Sequence, residues 1–242
     1  MSKASAREAA RLAQVQAEQR KRSRRNLAIA AVVIVVALIG GGIGFQAWRV
    51  SQQPSAGPSA GGSATPVTLV DGQPVVFGSA EAPVQIDLYA DFHCPGCAQF
   101  EQNYGAVLSE AQQRGQAAVR FYPLTFHDPG SVSAGNGFAC AAESGFGQAF
   151  FTGLFANASL DWNNDQLFTL AEQVSGAPPS DAFRSCVTDR SHLAYLTSIT
   201  AAADRAGVKQ TPTVLLNGAP LDLANLTPDQ LGQQIDTAAG QK

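Results

Sequence analysis

The apolar positions divide the chain into unlike stretches. Asn26 to Trp48 is a run of 23 residues without a charge, and its centre, Ala28 to Ile39, is almost wholly aliphatic. About 20 apolar residues span a bilayer as a helix, so the run predicts one transmembrane helix over 26–48. Residues 49–66 are rich in Ser, Gly, Pro, Ala and Gln. They lack the hydrophobic period needed to bury a core and predict a flexible linker. From Val75 onward strand-like and helix-like segments alternate. Val84 to Tyr89 predicts a strand, Gln99 to Gln113 a helix, and Ala118 to Leu124 a second strand. A long helical region over 135–206 is broken near Asn157–Asp161 and Ala177–Ser180. Thr213 to Asn217 predicts a third strand, ended by the Asn217-Gly218 turn. Pro228 to Ala239 predicts a closing helix, with Thr227 as N-cap and Pro228 at its first position. Together these elements predict an α/β domain over 67–242 behind a single membrane span.

Charge gives the span a direction. Residues 1–25 carry eight basic and two acidic side chains, and residues 49–242 carry eight basic and seventeen acidic. Arg20, Lys21, Arg22, Arg24 and Arg25 lie just before the apolar run. The positive-inside rule places residues 1–25 in the cytoplasm and residues 49–242 outside, with Trp48 at the interface. A cleaved signal peptide has a shorter apolar core and a small-residue cleavage site, so an uncleaved anchor is the expectation. Gly40 and Gly44 form a GxxxG pair that can pack two anchors into a dimer. The acidic body argues against nucleic acid as a partner, because phosphate binding needs concentrated Lys and Arg.

All four cysteines, Cys94, Cys97, Cys140 and Cys186, follow the span. Disulfides persist outside the cytoplasm. Cys94-Pro95-Gly96-Cys97 stands between a strand and a helix. A helix N-terminus presents unpaired N–H groups and a partial positive charge, and both stabilise a thiolate at Cys94. Cys97, one turn further in, lies close enough to resolve a mixed disulfide. Pro95 has no N–H to lose in the first turn. Zinc sites use the same CxxC spacing but want two further ligands. Only His93 and His127 are near, so no metal is assigned. A purely structural Cys94–Cys97 bridge closes too small a loop to stabilise much.

At this point the residues resemble the DsbA-type disulfide oxidoreductases of the thioredoxin-like superfamily. The resemblance is carried by Ala82-Pro-Val84, Asp91-Phe-His-Cys-Pro-Gly-Cys97, Phe121-Tyr-Pro-Leu124, Ala139-Cys-Ala-Ala142, Leu154-Phe155, Gly207-Val-Lys-Gln-Thr-Pro-Thr213 and Asn217-Gly218. It implies a thioredoxin core interrupted by a helical subdomain, here about 128–206. It also implies that Thr211-Pro212 is a cis-proline loop beside the cysteines, whose backbone pairs with a substrate peptide like an added strand. A trans bond at a strand start is the plain alternative. Related proteins often bridge two subdomain helices with cysteines placed like Cys140 and Cys186; the alternative is two free, buried thiols. Two departures stand out. Gly96 occupies the position of a histidine in well-known oxidases of this type, and Leu88 the position of a buried acid, with Asp87 on the other face of the strand. Asp87, Asp91 and His93 remain as candidates for moving protons or tuning Cys94.

The resemblance implies protein thiol–disulfide exchange with secreted or envelope polypeptides, most simply disulfide formation. The cysteine pair carries the two electrons, so no organic cofactor is implied. A membrane redox partner must reset the pair. A reductase or isomerase on the same fold is one rival. A thioredoxin-fold metal chaperone or binding module is another.

Overall fold

A computed structural model describes residues 66–240. The predicted tail, the membrane span with its Gly40/Gly44 pair, and nearly all of the linker lie outside the described residues. Among the described residues no helix is long and apolar enough to cross a membrane.

Five strands form one sheet in the order β1-β3-β2-β4-β5. They are β1 Val75–Phe77, β2 Val84–Ala90, β3 Ala117–Pro123, β4 Thr213–Leu216 and β5 Ala219–Pro220. β2 and β3 run parallel, with Leu88 opposite Phe121; the other pairs are antiparallel. Parallel neighbours need a crossover, which α1, Pro95–Gln113, provides. Five helices separate β3 from β4: α2 Pro129–Glu143, α3 Gly147–Ala156, α4 Asn164–Ser175, α5 Asp181–Thr188 and α6 Leu193–Arg205. The closing helix α7 spans Pro228–Gly240.

The sheet is covered on both faces, as its alternation requires. Ile86, Leu88, Val119 and Phe121 pack with Phe100 and Leu108 of α1 and with Leu231 and Ile235 of α7. Tyr89 packs on the opposite face with Tyr195, Leu196 and Ile199 of α6. An aromatic cluster joins core and subdomain. Phe92, fully buried, lies 5.4 Å from Phe121, 5.5 Å from Phe138 and 4.8 Å from Phe155, centroid to centroid. That cluster seats the residue two positions before Cys94.

Helix starts follow their caps. Asp128 and Ser131 form a capping box on α2, and Asn163 and Gln166 form one on α4. Thr227 and Gln230 exchange the same pair of bonds at the start of α7. Each satisfies donors that the first turn leaves free. Three sequence expectations shift. α1 starts at Pro95 rather than Gln99, because proline is preset for the first helical turn. The helical region breaks in two further places, at Gly145 (φ 88°) and at Arg190 (φ 51°). The Asn217-Gly218 turn has φ of 49° and 84° and leads into β5, a two-residue strand too short to show as a pattern.

Cys140 and Cys186 are bonded, with a Cα–Cα separation of 5.9 Å, and join α2 to α5. Asn136, buried one turn before Cys140, donates to the carbonyls of Cys186 and Val187 and accepts from the N–H of His192.

Candidate functional site

Cys94 is the N-cap residue of α1, and Pro95 opens the helix. The backbone N–H groups of Cys97 and Ala98 both donate to the Cys94 carbonyl, at 3.0 and 3.1 Å. Both thiols are unbridged; Cys94 is 4% exposed and Cys97 1%. The Cys94 thiol donates to the carbonyl of Thr211 at 3.5 Å. The Thr211–Pro212 bond is cis. A Cβ on Gly96 would meet Pro212 Cδ at 3.2 Å and the Cys94 sulfur at 3.7 Å. Glycine therefore leaves the room that this close approach needs. Thr211, Pro212, Cys94 and Cys97, which come from opposite ends of the domain sequence, are brought together here.

The environment shifts the two thiols' pKa values in opposite directions. Burial pushes Cys94 up, but hydrogen bonds from Thr211, Cys97 and the side chain of His127 outweigh it and hold this thiol below its ordinary value. Burial drives Cys97 far above its ordinary value, and the adjacent Cys94 adds to the rise. Cys94 is thus the easier of the two sulfurs to ionise, which suits it to attack, and Cys97 must give up its proton as it resolves a mixed disulfide.

The three acid–base candidates separate in space. Asp91 is wholly buried. Its Oδ1 accepts from the His93 N–H at 2.8 Å and the Ser131 hydroxyl at 2.7 Å. Its Oδ2 accepts from the N–H groups of Phe126 and His127, at 2.7 and 3.2 Å. Its own carbonyl accepts from the Cys94 N–H at 3.0 Å. One carboxylate thus fastens the turn before Cys94 to the segment that carries His127. The other two candidates point elsewhere. His93 turns its ring to Asp128, Nδ1 lying 2.9 Å from the carboxylate, and packs over Gly130. That bond to His93 lowers the pKa of Asp128. Asp87 is held by a bidentate pair with Arg120, at 2.5 and 2.6 Å. It lies on the α6 face of the sheet, away from the cysteines, because its strand neighbour Leu88 takes the other face.

His127 is the residue that sequence reasoning misses at the thiol, naming it only as a nearby candidate for a zinc site that it does not assign. Nothing in its local sequence marks it, since it reaches Cys94 from the loop between β3 and α2. Replacing His127 with alanine should raise the Cys94 pKa, so that exchange gains speed only at higher pH. Thiolate absorbance at 240 nm, titrated in wild type and variant, checks this; an unchanged curve would remove His127 from the site. Among the described residues, one group has the proximity to hold a metal: Cys140, Cys186 and His192. The bond between its two sulfurs leaves no thiolate to ligate an ion.

A family model described as Thioredoxin matches residues 70–237. The chain belongs to the thioredoxin family. The Na(+)/H(+) antiporter NhaA 3 of Salinispora tropica is 32% identical over 143 residues, which are 59% of this chain and 21% of that protein. The thioredoxin-family chain therefore spans about a fifth of that relative's length. Among solved structures it is similar to oxidised BdbD from Bacillus subtilis, with a TM-score of 0.60 and 19% identity over 72% of this chain and all of that one. It is also similar to MdbA of Actinomyces oris, a thiol-disulfide oxidoreductase, with a TM-score of 0.62 and 18% identity over 77% and 98% of the two chains. These likenesses bear on the fold.

Proposed function

We propose that this protein is a thiol–disulfide oxidoreductase acting on secreted or envelope polypeptides outside the cytoplasm. The observation that carries the reading is the placement of Cys94 at the start of α1, with Cys97 one turn further in and the cis Thr211–Pro212 bond beside its sulfur. The thiol-disulfide oxidoreductase activity of MdbA, on a similar fold, supports it by analogy. In the oxidised protein a substrate thiolate attacks the Cys94 sulfur, and the Cys94–Cys97 bond breaks. Cys97 leaves with the electron pair and takes a proton. A second substrate thiolate then attacks the mixed disulfide, closes the substrate's own disulfide and releases Cys94 as a thiolate. Two electrons have moved from substrate to cysteine pair, and a membrane redox partner must remove them. A lowered Cys94 pKa stabilises the dithiol form, which makes the disulfide form the stronger oxidant. This favours oxidation over reduction as the net direction. The apolar run at 26–48 would hold the domain at the outer face of the membrane.

The test is turnover of a reduced, cysteine-bearing polypeptide by the oxidised protein, with Cys94→Ala as control. Wild type should form substrate disulfides and the variant none. The reduction potential fixes the direction. A value above about −180 mV supports an oxidase, and one near −270 mV a reductase. Tight stoichiometric metal binding without exchange would favour the metal-chaperone reading. Protease added to intact protoplasts should digest the domain, and full protection would overturn the placement.

A further inference from the structure

The flank of α1 that starts at Pro95 borders a groove of about 890 Å³. Its opposite wall is the end of α3 and the turn that follows, as far as Ser159. Small and apolar residues line much of it: Ala98, Gly105 and Ala106 on α1, Phe155 and Ala156 on α3. Two carboxylates reach it, Glu101 and Glu110, and among the described residues no Lys or Arg lines it. Glu110 is paired with Arg114 at 2.9 Å. Glu101 has no hydrogen-bond or ion-pair partner among the described residues. Its carboxylate lies over Gly105, where an added Cβ would sit 2.6 Å from Oε1. Burial alone pushes this carboxyl up to about 7. A half-buried carboxylate without a counter-charge is costly, and a cation placed beside it relieves the cost.

We propose that this groove holds an extended, apolar segment of the polypeptide undergoing exchange at Cys94, with a Lys or Arg of that segment paired to Glu101. The proposal rests on the exchange reading above and narrows its substrate class. Charge complementarity argues for the cation, and the small lining residues argue for the apolar chain around it. Thr211 and Pro212 do not line the groove, so the cis-proline loop and the groove grip different parts of one substrate. The spacing follows from geometry. Glu101 lies seven positions along the helix from Cys94, about 10 Å at 1.5 Å per residue. An extended chain covers about 3.3 Å per residue. The basic side chain therefore belongs three positions from the substrate's reacting cysteine.

The experiment uses the full chain in its oxidised form and reduced model peptides. Each peptide has one cysteine among Ala and Val, with either Lys or Glu three positions before it or three after it. Second-order exchange rates are divided by each peptide's own rate with glutathione disulfide, which removes the lysine's effect on its neighbouring thiol. On one of the two sides the Lys peptide should outpace its Glu twin by at least about threefold, the scale of a partly shielded ion pair. Glu101→Gln should abolish that preference and leave the rate with dithiothreitol unchanged. Ala106→Trp, which fills the groove, should slow the Lys peptide but not dithiothreitol. Equal rates for both twins on both sides, or a preference that survives Glu101→Gln, would overturn the groove assignment while leaving exchange at Cys94 intact. Failure of dithiothreitol itself to reduce the Cys94–Cys97 bond would instead overturn the exchange reading.

Discussion

Alanine in place of Cys97 should leave Cys94 locked in mixed disulfides with its substrates. Expressed in its own cell, the variant should run on non-reducing gels as a ladder that collapses on reduction, and Cys94→Ala should give none. The argument is kinetic. Cys97 is held one turn from Cys94, and an intramolecular thiol acts at an effective concentration that no free thiol in solution reaches. Removing it lengthens the life of the intermediate without touching the attacking sulfur. The loss of one buried sulfur at a helix start leaves the fold in place, since alanine keeps helix propensity there. The trapped chains would name the substrates, and their sequences can be read for a basic residue three positions from the captured cysteine. If Cys97→Ala captures no more than Cys94→Ala, the two-cysteine cycle is wrong.

Loss of the Cys140–Cys186 bridge should have the largest effect on stability. The two cysteines are 46 positions apart, and a loop of that length contributes about 4 kcal/mol in the chain-entropy model. For a domain of this size that is a fall in thermal midpoint of roughly 8–16 °C. The double variant Cys140→Ala/Cys186→Ala, melted beside oxidised wild type, measures it. Asn136 sharpens the test, because it ties α2 to the segment around Cys186 through three hydrogen bonds of its own. Asn136→Ala should destabilise by about 1–3 kcal/mol, since it leaves buried backbone groups without a partner, even with the bridge intact. Neither change should alter exchange of Cys94 with dithiothreitol. A double variant as stable as wild type would mean that Asn136 and the surrounding packing already hold α2 and α5 together.

The outline of this fold is legible where a residue's chemistry acts locally. Pro95 after Cys94, Thr227 before Pro228 and Asn217-Gly218 each mark a boundary through a backbone preference, and the chain turns at each. Cys94 and Cys97 are readable as a pair because the thiolate argument needs only a strand before and a helix after. The features that stay hidden are those in which a distant segment decides. Arg190 breaks the helical region with no glycine or proline to announce it. Asp87 and Asp91 read alike in sequence, yet strand alternation sends one to Arg120 and the other beneath the active-site turn. His93 and His127 look interchangeable beside a CxxC. The capping of α2 takes the first, through Asp128, and the hydrogen bonds of Asp91 deliver the loop of the second to Cys94. Glu101 carries no signal at all, because its isolation depends on what α3 fails to place opposite it.

The contact between Gly96 and Pro212 bears on how the redox strength of such a protein can evolve. A Cβ at position 96 would lie 3.2 Å from Pro212 Cδ, so a larger side chain there needs the proline to give by a few tenths of an ångström. Variation inside the four-residue motif is thereby coupled to the placement of Pro212. The loop bearing His127 has no such tie, since it approaches Cys94 from a separate segment. A change at 127 can alter the acidity of Cys94 without touching position 96 or Pro212. Ranking relatives by the two residues between their cysteines would then miss part of what sets the acidity of Cys94 here, because Thr211 and His127 contribute from segments far along the chain.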